Sequence, residues 1–336
     1  MKVLLTGGAG YIGSHTAMEL AKNNFEVCII DNLANSSIEA IFRVEKLTGK
    51  KLTFFELDLL EREALIEIFD QNEFDAVIHF AGLKAVAESV DQPLAYYRNN
   101  IGGTLNLCEA MGRSRVKNLV FSSSATVYGD PDQLPISEDA PTKDAATPYG
   151  RTKLMIEKLL SDICTVDSNW NVVLLRYFNP GGAHESGDIG EDPNGIPNNL
   201  LPYITQCAAG SLKELTVFGD DYPTRDGTCI RDYIHVVDLA LGHLAAISKL
   251  QQNPGLVTYN LGTGSGSSVL EVIQAFESTN EKNVPYVIGS RRYGDVAECY
   301  TDPTKAKIEL AWQAQRTLED ICRDAWRWQK KHPRGY

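Results

Sequence analysis

Short apolar runs recur at regular intervals through the first 180 residues. Lys2–Thr6 stops at Gly7-Gly8, Glu26–Ile30 stops at Asp31-Asn32, and Leu52–Leu57, Ala76–Phe80, Asn118–Phe121 and Val172–Leu175 continue the series. The runs carry little polar alternation, so they predict strands buried on both faces, which means parallel pairing with helices on each side. Amphipathic segments fill the intervals, over Tyr11–Lys22 and near 37–47, 61–72, 93–113 and 149–164. This alternation predicts an α/β fold with a doubly wound parallel sheet, forming a first domain over 1–180.

Past Pro180 the texture changes. Residues 181–202 are rich in Gly, Pro, Asn and Asp, and later elements are irregularly spaced. A helix is predicted near 200–210, a strand at Leu215–Phe218, a helix near 236–250 and a strand at Thr258–Leu261. Thr317 begins a C-terminal helix as its N-cap, with Leu318, Ile321, Ala325 and Trp328 on the apolar face. The pattern predicts a smaller α+β domain over 181–336, with a segment near 236–262 packing back on the first.

Composition narrows the partners. The net charge is -12 and no Lys/Arg cluster exceeds a pair, whereas nucleic-acid binding needs a basic surface that releases counterions from phosphates. No apolar run approaches the ~20 residues of a membrane span, and Lys2–Thr6 is too short for a signal-peptide core. The seven cysteines form no CxxC pair, so neither a metal site nor a disulfide framework is expected, and a reducing cytoplasm is the natural compartment.

Chemistry enters at the end of the first strand, with Gly7-Gly8-Ala9-Gly10-Tyr11-Ile12-Gly13. Glycines here allow a tight turn, let backbone N–H groups approach a pyrophosphate and permit close helix–strand contact, while the helix N-terminus favours the phosphates. A plain turn also wants glycine, but Asp31 follows at the end of the second run, placed to accept from ribose hydroxyls. Asn32 rather than arginine comes next, so a 2′-phosphate would meet a carboxylate, and NAD is expected over NADP. Asp58 ends the third run and suits either the adenine amino group or a helix N-cap.

Tyr149 and Lys153 stand four residues apart on one helix face. A free tyrosine titrates near ~10 and is a poor base at neutral pH. A neighbouring ammonium, a cationic nicotinamide and the helix N-terminus after Pro148 would stabilise its phenolate. The pair then suits removal of a hydroxyl proton. Ser122-Ser123-Ser124 follows the fifth run, at the strand edge where ligands bind. One serine could relay the proton, and at least one is expected to close a turn instead.

Tyr-x-x-x-Lys, the upstream serine and Gly-x-x-Gly-x-x-Gly together resemble the extended short-chain dehydrogenase/reductase superfamily, with its Rossmann-type first domain. Residues 79–86, 122–129, 176–180, 195–200 and 231–235 resemble, within it, the UDP-hexose 4-epimerase family, and the similarity runs the length of the chain. The resemblance implies tightly bound NAD, a 4-keto sugar that turns within the site, and a place in galactose metabolism. It implies that Tyr149 takes the 4-hydroxyl proton directly or through Ser124, while Lys153 binds the nicotinamide ribose.

Further cofactor contacts implied by the resemblance are Leu59, Phe80, Ala81, Lys84, Asn99 and Phe178, the last near the nicotinamide or simply in the core. For the substrate it implies Arg231 and Arg292 on the diphosphate, Phe218 and Thr216 by the uracil, and Asp295 on the ribose. The sugar wall would comprise Lys84, Ser124, Tyr149, Asn179, Asn199, Leu200 and Cys299. Where some members confined to plain hexoses carry tyrosine, this chain has Cys299, implying room for an N-acetyl group unless Tyr300 or Tyr293 closes the pocket. A homodimer through the helices near 93–113 and 149–164 is also implied.

Two rival readings compete. A 4,6-dehydratase needs an acidic pair after the serine-loop hydroxyl, where this chain has Ala125 and Thr126. A non-catalytic dinucleotide sensor has no need of Ser124, Tyr149 and Lys153 together.

Overall fold

The computed structural model describes every residue except 144, 194–196, 198 and 293. Two compact units emerge, each drawn from separate stretches of chain. Unit 1 takes Met1–Gly129, Pro141–Arg176 and Ala240–Tyr259; unit 2 takes Asp130–Ala140, Tyr177–Leu239 and Asn260–Tyr336. The contiguous division at residue 180 differs from this because the large sheet recruits a strand from beyond residue 255.

Unit 1 opens with β1 (Lys2–Thr6), α1 (Tyr11–Lys22), β2 (Glu26–Asp31), α2 (Ile38–Thr48), β3 (Thr53–Glu56), α3 (Arg62–Gln71) and β4 (Ala76–His79). Short helices α4 (Val86–Asp91) and α5 (Pro93–Tyr96) lead into a π-helical stretch, Tyr97–Gly102, and then α6 (Gly103–Arg113). The sequence predicts one uninterrupted helix over 93–113; the structure widens it in the middle, as happens where a helix must re-aim side chains. β5 (Asn118–Ser122), a 3-10 turn (Ala125–Tyr128), α7 (Pro148–Val166) and β6 (Asn171–Tyr177) follow. α7 starts as its sequence asks: Pro148 occupies the first turn and the Thr147 side chain accepts from Gly150 N, satisfying an otherwise orphaned donor.

Among the described residues, the large sheet runs β10-β6-β5-β4-β1-β2-β3, where β10 is Leu256–Leu261. β1 pairs in parallel with β2 on one side and β4 on the other, Leu4 lying against Cys28 and Val77. Chain order reverses between β1 and β4, which opens the crevice where ligands bind such sheets. Val3, Leu4 and Leu5 are fully buried, as strands covered on both faces require. Edge strand β3 is the exception, exposed at Thr53 and Glu56.

Unit 2 begins with β7 (Asn179–Gly181), α8 (Leu200–Ala208), β8 (Leu215–Phe218) and β9 (Ile230–His235); α9 (Val236–Leu250) starts within it and continues in unit 1, and β10 follows. Then come β11 (Gly266–Ser268), α10 (Val269–Asn280), β12 (Tyr286–Gly289), β13 (Glu298–Cys299), α11 (Thr304–Glu309) and α12 (Leu318–Lys331). β9 is the hub, pairing with β7, β11 and β13, while β8 and β12 form a separate parallel pair. Thr317 and Asp320 make a reciprocal capping box at the start of α12. Its Ile321 and Cys322 face join Ile204, Val272 and Phe276 in the core. Among the described residues no helix is long and apolar enough to cross a membrane, and the cysteines are unbridged.

Candidate active site

The turn after β1 is built on backbone proximity. Gly7 has φ +73, and a Cβ there would stand 2.6 Å from Ala81 N; one on Gly13 would stand 2.4 Å from Gly7 O. Gly10 caps α1 without a side chain, and the first turn holds no acidic residue. The result is a bare helix N-terminus at the β1/β4 crevice, the environment a pyrophosphate requires. Ala81 N and Phe80 N both donate to Thr6 O (3.0 and 2.9 Å), and the Phe80 ring lies 4.8 Å from that of His243. The ring of Tyr11 lies edge-on to His15, and Ile12 is partly buried beside it.

Asp31 ends β2 and is 8% exposed. Its carboxylate accepts from Ala9 N (3.0 Å), Leu33 N (3.0 Å) and Ser36 Oγ (2.8 Å), so it ties the glycine turn to the loop after β2. Asn32 Nδ2 donates to Asp58 Oδ2 (2.8 Å), and Asp58 Oδ1 accepts from Leu60 N (2.8 Å). Asp58 therefore closes a local turn, and the N-cap of α3 is Glu61. Leu59 is buried in the core.

On α7, Lys153 Nζ donates to Ser122 O (2.8 Å) and stands 4.8 Å from the Phe121 ring centre and 6.0 Å from that of Tyr149. Burial lowers the ammonium to about 8, with the Glu157 carboxylate opposing the shift. Tyr149 is 8% exposed. Ser124 precedes the 3-10 turn and its Oγ accepts from Thr126 N (3.2 Å) and Thr126 Oγ1 (3.0 Å). Its neighbours are committed to the fold: Ser122 Oγ lies 3.2 Å from His243 Nε2 and Ser123 Oγ donates to Glu157 Oε1 (2.5 Å).

The π-helical stretch presents Asn99 and Asn100 in succession. Asn100 Oδ1 accepts from Leu83 N (2.8 Å) and Asn99 Nδ2 (3.0 Å), while its Nδ2 donates to Leu83 O (3.1 Å) and Thr152 Oγ1 (3.0 Å). Asn100 thereby fastens the exposed Lys84 loop and α7 to one side chain. Sequence reasoning missed Asn100, and also His79, which is wholly buried between Thr6 Oγ1 (2.7 Å) and Thr104 Oγ1 (2.9 Å). Burial drops His79 to about 3, with Lys153 adding to the effect, so it stays neutral. A polar residue amid an apolar strand run was the available signal for His79.

Within unit 2, Arg231 and Arg292 converge on one carboxylate. Asp295 receives Arg292 Nε (3.1 Å) and lies 3.5 Å from Arg231. The Arg292 guanidinium sits 5.6 Å from the ring centre of Phe218, itself 44% exposed. Thr216 is partly buried two residues earlier on β8. Cys299 pairs with Arg231 across β13 and β9, and burial pushes its thiol up to about 11. Thr301 N, two residues on, donates to Asp232 (3.3 Å), a buried carboxylate that also receives Thr263 N (2.9 Å) and Gly264 N (3.0 Å). Asn199 Nδ2 donates to Glu191 (2.6 Å), Leu200 opens α8, Asn179 is exposed at the start of β7, and Phe178 is 5% exposed. Gly195, Ile196, Asn198 and Tyr293 lie outside the described residues.

A nicotinamide dinucleotide fold with a Tyr/Lys helix at its crevice defines a class, and the comparisons agree. Residues 3–262 match the NAD dependent epimerase/dehydratase family, and the chain belongs to it. It is 60% identical over 336 residues to the UDP-glucose 4-epimerase of Bacillus subtilis, covering 100% of this chain and 99% of that one. The crystal structure of UDP-glucose 4-epimerase from Bifidobacterium longum in complex with NAD+ and UDP superposes with a TM-score of 0.98 at 51% identity, covering all of both chains. That from Stenotrophomonas maltophila, with bound NAD and formylated UDP-arabinopyranose, gives 0.97 at 50% identity over 99% of each.

Proposed function

We propose that this protein inverts C4 of UDP-hexoses, interconverting UDP-glucose and UDP-galactose with NAD that stays bound, the reaction named for these relatives. The observation that carries the reading is the buried Lys153 ammonium beside Tyr149 at the sheet's crevice. Bound NAD would supply reversible hydride acceptance at C4, leaving net redox zero.

The residues of the chain supply the rest. Gly7, Gly10, Tyr11, Ile12 and Gly13 hold the pyrophosphate, Asp31 and Asn32 the adenosine ribose, and Asp58 and Leu59 the adenine side. Phe80, Ala81, Lys84, Asn99, Lys153 and Phe178 serve the nicotinamide half. Asp31, followed by Asn32 rather than arginine, disfavours a 2′-phosphate. Tyr149 takes the 4-hydroxyl proton, directly or through Ser124, and gives it back when the 4-keto sugar has turned; Lys153 keeps the phenolate available. Ala125 and Thr126 cannot perform the elimination a dehydratase requires, which speaks against that chemistry.

In this reading the dinucleotide residues, Phe178 apart, belong to unit 1, and the residues for UDP belong to unit 2. Arg231 and Arg292 trade their hold on Asp295 for the diphosphate, as arginine suits phosphate oxygens. Phe218 and Thr216 lie by the uracil and Asp295 by its ribose. Asn179, Asn199, Leu200 and Cys299 are assigned to the hexose, held loosely enough to rotate, and Lys84 is assigned to it separately. The small Cys299 admits UDP-GlcNAc and UDP-GalNAc. The protein works as a cytoplasmic homodimer. Anion-exchange analysis after incubation with UDP-galactose, and separately with UDP-N-acetylgalactosamine, without added cofactor tests the scheme. Both gluco epimers are expected; no turnover of either, even with NAD supplied, overturns it.

A further inference from the structure

Lys153 and Glu157 sit one turn apart on α7, and each grips the same short stretch of chain. Lys153 holds Ser122 O (2.8 Å) and Glu157 Oε1 receives Ser123 Oγ (2.5 Å), so consecutive residues are pinned to consecutive turns of the helix. The next residue is Ser124. On its far side, Tyr128 ends the 3-10 turn, and its hydroxyl accepts from an Arg176 nitrogen (3.0 Å). Arg176, on β6, also donates to Glu157 in bidentate fashion through Nε and Nη2, one edge of its guanidinium, at 3.0 and 2.6 Å. The side chains of the pair are 9% and 5% exposed. Both flanks of Ser124 are thus fixed by one ion pair.

A buried ion pair adds little net stability over apolar packing, because both charges must leave water. Placement beside the reacting groups gives it a different use. We propose that the Glu157–Arg176 pair is a positioning device that keeps Ser124 in register with Tyr149 and steadies the ammonium of Lys153. The inference rests on the epimerase reading above. Lys153 faces Tyr149 and Glu157 on its own helix, the Phe121 ring and Ser122 O on β5, and neutral His79 on β4. Glu157 is the carboxylate that supports its positive charge.

The test compares Ser123→Ala and Glu157→Gln with the wild-type holoenzyme, NAD retained, on UDP-galactose. Wild-type turnover secures the underlying reading independently. Each variant is expected to lose roughly tenfold to a hundredfold in kcat, with KM little changed, since small misplacements of reacting groups carry costs of that size. In Glu157→Gln the alkaline fall in kcat should also move to lower pH by roughly one pH unit, because an opposite charge has been withdrawn from Lys153. Unchanged kcat and pH profile, with only a lowered Tm, would overturn the proposal and leave the pair a structural brace. If Glu157→Gln does not fold, Ser123→Ala decides alone: it keeps the ion pair and removes a single hydrogen bond.

Discussion

The ammonium of Lys153 stands 6.0 Å from the ring centre of Tyr149 and is anchored on Ser122 O at 2.8 Å. A buried cation held one turn from a phenol by a backbone carbonyl biases that phenol toward its charged form.

Tyr149→Phe removes the group that exchanges the 4-hydroxyl proton. Turnover of UDP-galactose should fall roughly a hundredfold to ten-thousandfold. NAD recovered from the denatured protein should match wild type, which separates lost chemistry from lost binding.

Burial disfavours the charge of Lys153 and lowers its ammonium to about 8 from the ordinary 10.5. The active form carries the ammonium, so kcat should decline as pH rises through about 8. Stability should move the other way. A folded-state value below the unfolded one means that the unfolded chain binds more protons between about 8 and 10.5. The contribution is present above that window and lost as pH falls through about 8. Lys153→Met should be slow and should lack both trends, as read in a pH–rate profile and denaturant melts.

Cys299→Tyr should abolish turnover of N-acetylated UDP-sugars and spare the plain ones. Loss of both would sink the size argument. With its thiol pushed up to about 11, Cys299 should also react slowly with iodoacetamide at neutral pH, because the thiolate is the nucleophile.

Gly7→Ala places a methyl 2.6 Å from Ala81 N on backbone at φ +73. Strain of about 1–3 kcal/mol is expected, seen as a lower Tm, together with loss of copurifying NAD as the turn moves off the crevice.

Much of this architecture was written in local pattern. The six strands of the first half follow from short, mostly apolar runs, and α12 follows from Thr317 and its 3.6-residue stripe. Tyr149, Lys153 and the glycines were legible because their chemistry depends on short spacings. Asn100, Asp232, Glu157 and Arg176 were not, because each acts through partners far along the chain. Arg176 and Glu157 are 19 residues apart, and Asn100 meets Thr152 across 52. The π-helical widening at Tyr97–Gly102 leaves no signature in hydropathy. In unit 2 the run Leu215–Phe218 was legible as β8, whereas β7, β9, β11, β12 and β13 were missed; β13 spans two residues, too few for any alternation to register.

The large sheet closes with β10, contributed by residues 256–261 and laid beside β6. During synthesis, six strands leave the ribosome while β6 still has an unpaired edge, and some eighty residues must emerge before its neighbour arrives. An open apolar edge invites pairing with another nascent chain. Truncation after residue 180 would make that exposure permanent, so a fragment cut there should aggregate where one that retains residues 240–259 on a linker remains dispersed.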